Sequence, residues 1–158
     1  MITVIKNHTI ADIKNSIQYL LDKAAESPEV RMLAIEITHN KQDKIAAIYD
    51  WIRGGVKYVP DTVTNGYMEL FISPVRMVED SRAGKTIGGD CDDMALLATA
   101  LYRSVGIRAN VVLIDSIGNG LDHAYCQACS DKLGWVNVDP SAPVPLGWEV
   151  SYREKIVV

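Results

Sequence analysis

One segment in the middle of the chain decides the fold: residues 88–102 read GGDCDDMALLATALY. After its first turn nearly every residue of this run is apolar, and Gly106 follows shortly after its end. Asp90 is a residue type that caps helix N-termini, and an apolar surface on all sides is typical of a buried helix. The segment therefore predicts a central helix that begins at Cys91 and is enclosed by the rest of the protein.

The chain before this helix divides into a helical part and an irregular part. Apolar residues recur at helical spacing over about residues 10–26, again after Pro28, and from Lys41 to Arg53, which predicts three helices. The apolar residues of segment 56–85 show no sustained periodicity, and the segment contains many turn-forming residues. We therefore expect this second part to be mostly loop.

Three strand-like runs follow the central helix, and glycine-containing turns separate the second from the first and from the third. The runs are Arg108–Asp115, His123–Ser130 and Gly134–Asp139. Helices that precede a group of antiparallel strands are typical of an α+β fold. No internal repeat, linker or composition shift divides residues 1–158, so we expect a single domain.

Charge and composition exclude several classes of function. Sixteen basic against twenty acidic residues give a net charge of −4, and no basic run stands out, so neither nucleic acid nor an anionic membrane is an expected partner. No segment has the pattern of a secretion signal or a membrane span. Three cysteines, an odd number, suit a reducing compartment. We expect a cytoplasmic protein.

Cys91 is a candidate nucleophile because of its place at the start of the central helix. Free backbone N–H groups and the helix dipole favour a thiolate there, but the neighbouring carboxylates oppose it, so a cationic partner is needed. His123 begins the second strand-like run and Asp139 ends the third. A hairpin brings the start of one strand opposite the end of the next, so the pair are expected to be cross-strand neighbours. Histidine can take the thiol proton while a carboxylate orients its ring.

These residues also carry a resemblance to a known family. The nucleophile segment Gly89–Asp93, with the apolar helix after it, resembles the corresponding helix of the transglutaminase-like superfamily, a relative of papain-like cysteine peptidases. His123–Tyr125 and Trp135–Pro140 resemble the histidine and aspartate motifs of that family. Ile48–Ile52 and Val56–Asp61 are similar to the helix and loop that precede its core. The likeness is to small bacterial or phage-type members.

The resemblance implies a papain-like fold, a core at about residues 43–142 and a helical N-terminal extension over residues 1–42. It makes Cys91 the nucleophile, His123 the base and Asp139 the orienting residue. The oxyanion hole would use the Cys91 backbone N–H and Tyr58 in the upstream loop. Family members act on protein or peptide amides through a thioester.

The final acceptor in such a reaction decides its outcome. Water gives peptide hydrolysis or deamidation, and a lysine amine gives cross-linking. We expect hydrolysis, by analogy, because the flanking β-sandwich domains of animal transglutaminases have no room in this chain. A second hypothesis is a non-catalytic binding or structural module that keeps the fold, since a free cysteine in an apolar helix is usually core packing. The sequence gives no prediction of oligomeric state.

The remaining polar and aromatic residues complete the set of candidates. Trp135 and Asn137 share a strand face with Asp139 and could line the site. Cys126 and Cys129 are three apart on one strand, so they point to opposite faces and cannot both bind one zinc ion. Asp92 and Asp93 could bind calcium, but two acidic residues in the first turn of a helix are ordinary dipole partners. We predict no required metal or cofactor.

Overall fold

The computed structural model describes residues 2–6, 9–60 and 68–158 of the chain. Over these residues it forms five helices and eight strands. The helices are α1 (Ile10–Ala25), α2 (Pro28–Thr38), α3 (Lys44–Gly55), α4 (Pro74–Arg82) and α5 (Cys91–Ser104). The strands are β1 (Ile2–Lys6), β2 (Val56–Tyr58), β3 (Met68–Ile72), β4 (Ile87–Gly89), β5 (Ala109–Asp115), β6 (His123–Ser130), β7 (Gly134–Val138) and β8 (Glu154–Val157).

The first three helices begin at side chains that cap them. Thr9 caps α1, Ser27 caps α2 with proline at the next position, and Asp43 caps α3. Each cap accepts a hydrogen bond from a backbone N–H that has no partner inside its helix. All three helices contact α5. The three predicted N-terminal helices are confirmed, although α3 begins three residues later than expected and includes the two glycines after Arg53.

Helix α5 is the centre of the molecule. Every residue from Asp92 to Tyr102 is buried. The N-terminal helices cover one side of α5, and β5 and β6 pack against another. This burial confirms the predicted central helix and its first residue, because Asp90 caps it and Cys91 begins it.

The predicted antiparallel sheet is present and has one more strand than expected. Its order is β7-β6-β5-β8. Alternate residues of β6 face different partners: Ala124, Cys126 and Ala128 join the core around α5, whereas Tyr125 packs with Val112 on the opposite face. The fold class is therefore α+β, as the sequence predicts.

The prediction of mostly loop over residues 56–85 is wrong for much of that segment. It contains β2, β3 and α4, and residues 61–67 lie outside the described part of the chain. Strand β2 pairs in parallel with β4, and β3 pairs with β1. Ser73 caps α4 and Pro74 occupies its first turn. Serine and proline are turn signals, but they are also the preferred residues at a helix start, which explains the error.

The described helices are shorter than a helix that spans a membrane. A helix that spans a bilayer needs about 20 apolar residues, and α1 has 16 residues. Within the described residues, no helix is both long enough and apolar enough to cross a membrane.

Candidate active site

The start of α5 is fixed by reciprocal hydrogen bonds. Asp90 Oδ1 accepts from the Asp93 backbone N–H at 3.4 Å, and Asp93 Oδ2 accepts from the Asp90 N–H at 3.1 Å. The other oxygen of Asp93 accepts from the Ile72 N–H at 2.7 Å, which ties β3 to the helix. Asp93 is thereby a structural residue of the helix start, and the position of Cys91 depends on it.

Strand β4 leads directly into Cys91 and brings Tyr58 close to it in the fold. Tyr58 pairs with Gly89, two residues before Cys91, and the Val59 N–H donates to the Gly89 carbonyl at 2.8 Å. The Tyr58 side chain is 50% exposed. Gly89 has no room for a side chain, because a Cβ there would lie 2.7 Å from Asp93 Cβ.

His123 and Asp139 are in direct contact. The distance from His123 Nε2 to Asp139 Oδ2 is 2.7 Å. The register of β6 with β7 pairs Cys126 with Val138. Continued by one residue, this register places Asp139 opposite Tyr125. Asp139 is then the diagonal neighbour of His123 on the same face of the sheet. The hairpin thus brings together the two residues that the sequence predicts as neighbours.

The surroundings of His123 favour its protonated form. The hydrogen bond that His123 makes to the Asp139 carboxylate, first, and the interaction with Cys91, second, outweigh the opposing effect of burial and raise the His123 pKa from 6.5 to about 10. Nε2 faces Asp139, so Nδ1 is the ring nitrogen left for the Cys91 sulfur. The structure therefore brings Cys91, His123 and Asp139 into one group, with the histidine in the middle.

Ser141 is a site residue that the sequence analysis missed. Asp139 Oδ1 accepts from the Ser141 hydroxyl at 2.6 Å and from its backbone N–H at 3.2 Å. Asp139 is 3% exposed, and with His123 on its other oxygen both oxygens have partners. The signal is present in Asp139-Pro140-Ser141, because an aspartate that bonds the backbone N–H two residues later is a common turn.

Asn137 and Trp135, which are also proposed for the site, have neighbours outside the group formed by Cys91, His123 and Asp139. Asn137 lies in β7 opposite Gln127, and its carbonyl accepts from the Gly147 N–H at 2.8 Å. Trp135 is four residues from Asp139, about 13 Å along the strand. The structure does not bring Trp135 to the Cys91–His123–Asp139 group, and its ring packs instead against Arg108.

The three cysteines differ sharply in environment. Cys126 is fully buried, and this burial raises the pKa of its thiol to about 12. Cys129 is partly exposed on the opposite face, with its sulfur 3.3 Å from Arg108 Nη2. Cys91 is also partly exposed, and it lies close enough to His123 to help raise the pKa of that ring. Cys91 is therefore the thiol whose environment suits a nucleophile.

Carboxylates at the start of α5 are the group in the described residues that could hold a metal ion. Ligand atoms of Asp90, Asp92 and Asp93 lie within 4.8 Å of one another. Both oxygens of Asp93 and one of Asp90 already accept backbone hydrogen bonds. The hydrogen bonds of Asp90 and Asp93 are those of helix capping.

Comparisons with known proteins agree with this fold. The family model of the transglutaminase-like superfamily matches residues 31–140. The structure named "Putative Cysteine Protease from Cytophaga hutchinsonii" superposes with a TM-score of 0.56 at 20% identity, covering 99% of this chain and 62% of that one. A "putative protease" from Parabacteroides distasonis gives a TM-score of 0.57 at 16% identity, covering 84% of this chain and 26% of that one.

These structural neighbours are longer than the present chain and show a shared fold. No curated protein sequence matches the chain. The family model, in contrast, covers most of the chain, including α5 and the hairpin of β6 and β7. The chain therefore belongs to the transglutaminase-like superfamily.

Proposed function

We propose that the protein is a cysteine-dependent enzyme that hydrolyses an amide of a protein or peptide through a thioester on Cys91. One observation carries the proposal: His123 Nε2 lies 2.7 Å from Asp139 Oδ2, and Cys91 is close enough to the same ring to help raise the His123 pKa. An imidazolium held beside a sulfur stabilises its thiolate, which is the reactive form of cysteine.

The first half of the reaction follows from this arrangement. The Cys91 thiolate attacks the carbonyl carbon of the amide, a C–S bond forms, and the π electrons of the carbonyl move to oxygen. The tetrahedral intermediate collapses with cleavage of the C–N bond, and protonated His123 gives its proton to the leaving amine. The acyl group is left on Cys91 as a thioester.

Water completes the cycle. His123, now neutral, takes a proton from a water molecule that attacks the thioester carbonyl. The C–S bond breaks, a carboxylic acid is released, and the thiolate and imidazolium are restored. Asp139 keeps the ring in one tautomer throughout, because its carboxylate accepts from Nε2–H.

The oxyanion of the intermediate would be bound at the start of α5. The Cys91 N–H is in the first turn, where backbone donors have no acceptor inside the helix. A second donor is the Tyr58 hydroxyl, supported by the pairing of Tyr58 with Gly89 next to this turn. Removing one such donor typically costs about 10²–10³ in rate.

A peptide library followed by mass spectrometry tests the proposed reaction. The protein and its Cys91→Ala variant are incubated with the same library, and products present only with the unchanged protein are identified. New termini would support hydrolysis, a gain of one mass unit at glutamine would indicate deamidation, and added amine would indicate cross-linking. An absence of any product would favour the non-catalytic module.

Thiol labelling provides a test that needs no substrate. Cys129 is a matched control because it is also partly exposed. A low dose of iodoacetamide near pH 7 should alkylate Cys91 before Cys129, and Cys126 should react last because it is buried. Faster alkylation of Cys129 than of Cys91 would contradict the proposed nucleophile.

A further inference from the structure

A cleft lies at the end of α5 opposite to Cys91. It has a volume of about 490 Å³, and we call it the arginine cleft after Arg103 and Arg108, which line it together with Ile107, Asn110 and Trp135. Helix α5 has 14 residues, and at 1.5 Å per residue its two ends are about 20 Å apart. The arginine cleft is therefore separate from the Cys91–His123–Asp139 group.

The cations of the arginine cleft have weak or neutral partners. Arg103 Nε donates to the Ala109 carbonyl at 2.8 Å, and Arg103 also offsets the dipole at the end of α5. Arg108 Nη2 lies 3.3 Å from the Cys129 sulfur, a poor acceptor. Within the described residues, neither arginine forms an ion pair with a carboxylate.

This cationic cleft stands out on an acidic protein. The chain has a net charge of −4, yet no acidic residue lines the cleft. Five N–H donors in a planar fork make arginine suited to binding carboxylates, and most donors of Arg108 have no protein acceptor as strong as a carboxylate oxygen. The charge of the cleft favours an anionic ligand.

Trp135 adds an apolar surface beside this charge. Its side chain is 47% exposed, and the Arg108 guanidinium lies 5.5 Å from the ring centre. An aromatic ring beneath an arginine fixes the guanidinium and contacts apolar groups at low entropic cost. A ligand that fits has a carboxylate next to an aliphatic or aromatic side chain.

We propose that the arginine cleft binds an acidic peptide segment in which carboxylates alternate with apolar side chains. The segment belongs to the protein or peptide substrate and makes contact about 20 Å from the cleaved bond. In assigning the segment to the substrate, the inference rests on the proposed function. The binding itself does not require catalysis.

Fluorescence titration of the Cys91→Ala variant tests this binding without turnover. The probe is the capped peptide Gly-Ser-Glu-Leu-Glu-Leu-Ser-Gly, which contains no tryptophan, and its control has glutamine in place of both glutamates. Because Arg108 packs on Trp135, binding should change the tryptophan emission, and Trp135→Phe should remove that change. The glutamine peptide should bind at least tenfold more weakly.

Two arginine variants separate a specific site from general charge attraction. Arg108→Gln should weaken binding about tenfold or more, whereas Arg31→Gln removes the same charge from an exposed position on α2 and should have little effect. Equal losses in both variants, or equal binding of both peptides, would overturn the proposal. Binding of inorganic phosphate but not the glutamate peptide would overturn the peptide assignment.

The outcome is independent of the enzymatic proposal. If Cys91 proves inactive and the glutamate peptide still binds through Arg108, the cleft is a peptide-binding site in a protein without catalytic activity. If the enzyme cleaves peptides but Arg108→Gln changes neither binding nor kcat/KM, the cleft proposal fails alone. Circular dichroism of each variant would confirm that the fold is retained.

Discussion

Among the single residues of the site, Asp139 has a hydrogen-bond partner on each of its carboxylate oxygens. Its Oδ2 contacts His123 Nε2, and its Oδ1 accepts two hydrogen bonds from Ser141. A buried carboxylate with donors on both oxygens has one favoured orientation. The His123 ring is therefore held from its Nε2 side, which leaves Nδ1 toward Cys91.

Asp139→Asn should separate ring orientation from folding. The amide keeps the volume and can still accept from Ser141, but its NH₂ group would face Nε2 and favour the tautomer with hydrogen on Nδ1. Activity should fall by about 10³–10⁴ in kcat while the melting temperature changes little. The His123 pKa, followed by NMR, should also fall, because its largest raising contribution is removed.

Ser141→Ala is the matched control for this change. It removes one of the two Ser141 donors to Asp139 and leaves the His123 contact intact. Its activity should fall much less than that of Asp139→Asn. If Asp139→Asn instead unfolds the protein, the residue is chiefly an anchor at the end of β7, and the candidate catalytic group is reduced to Cys91 and His123.

Cysteine substitutions should affect activity and stability in opposite ways. Cys91→Ala should abolish turnover with little change in melting temperature, because the side chain is partly exposed. Cys126→Ala should keep activity and lose about 1 kcal/mol of stability from its fully buried position, or about 2–4 °C in melting temperature. Loss of activity with Cys126→Ala at unchanged stability would reassign the nucleophile.

Among the elements, the junction of β4 with α5 has no room for a side chain larger than that of glycine at residue 89. Gly89→Ala would place a Cβ 2.7 Å from Asp93 Cβ, so the capping box at the helix start would have to shift. We expect a loss of about 1–3 kcal/mol in urea unfolding and a lower kcat. Gly54→Ala in α3 meets nothing within 4 Å and should be neutral or stabilising. Equal stability of the two variants would contradict this interpretation.

Elements with a strong local signal were predictable, and those that depend on distant partners were not. The apolar run of α5 and the glycine turns around β6 are visible in the sequence and place Cys91, His123 and Asp139. Strand β8 is four residues long and exists because β5 offers it an edge. The three-residue strand β2 similarly depends on β4, which lies far along the chain.

At the scale of the whole molecule, the C-terminal segment joins parts that the sequence analysis left unconnected. The Tyr49 hydroxyl in α3 donates to the Val144 carbonyl, and the Tyr125 hydroxyl in β6 donates to Glu149. Glu149 also pairs with Lys155 of β8 at 2.8 Å. The segment thus links the N-terminal helices to the sheet face that carries His123. The contacts of Tyr49 and Tyr125 span long sequence separations and leave no periodic pattern to detect.

His123 contributes to the pH dependence of global stability. Its pKa is 6.5 when unfolded and about 10 in the folded protein, so the folded state holds this proton more tightly. The resulting stabilisation is complete below about pH 6.5 and is lost as pH rises toward 10, by at most about 1.4 kcal/mol per pH unit for one proton. Urea unfolding of the protein and of His123→Gln at pH 6, 8 and 10 would measure this difference.

The control for this titration is the exposed His39, which follows the end of α2. His39→Gln removes an imidazole that lies outside the site, and its unfolding is measured at the same three pH values. The other titratable groups are common to all three proteins, so their contributions cancel in the differences between them. If His123→Gln shows the same slope as the unchanged protein, the ring is not held as a cation. The thiolate that acts as nucleophile in the proposed mechanism would then have to be stabilised by a group other than protonated His123.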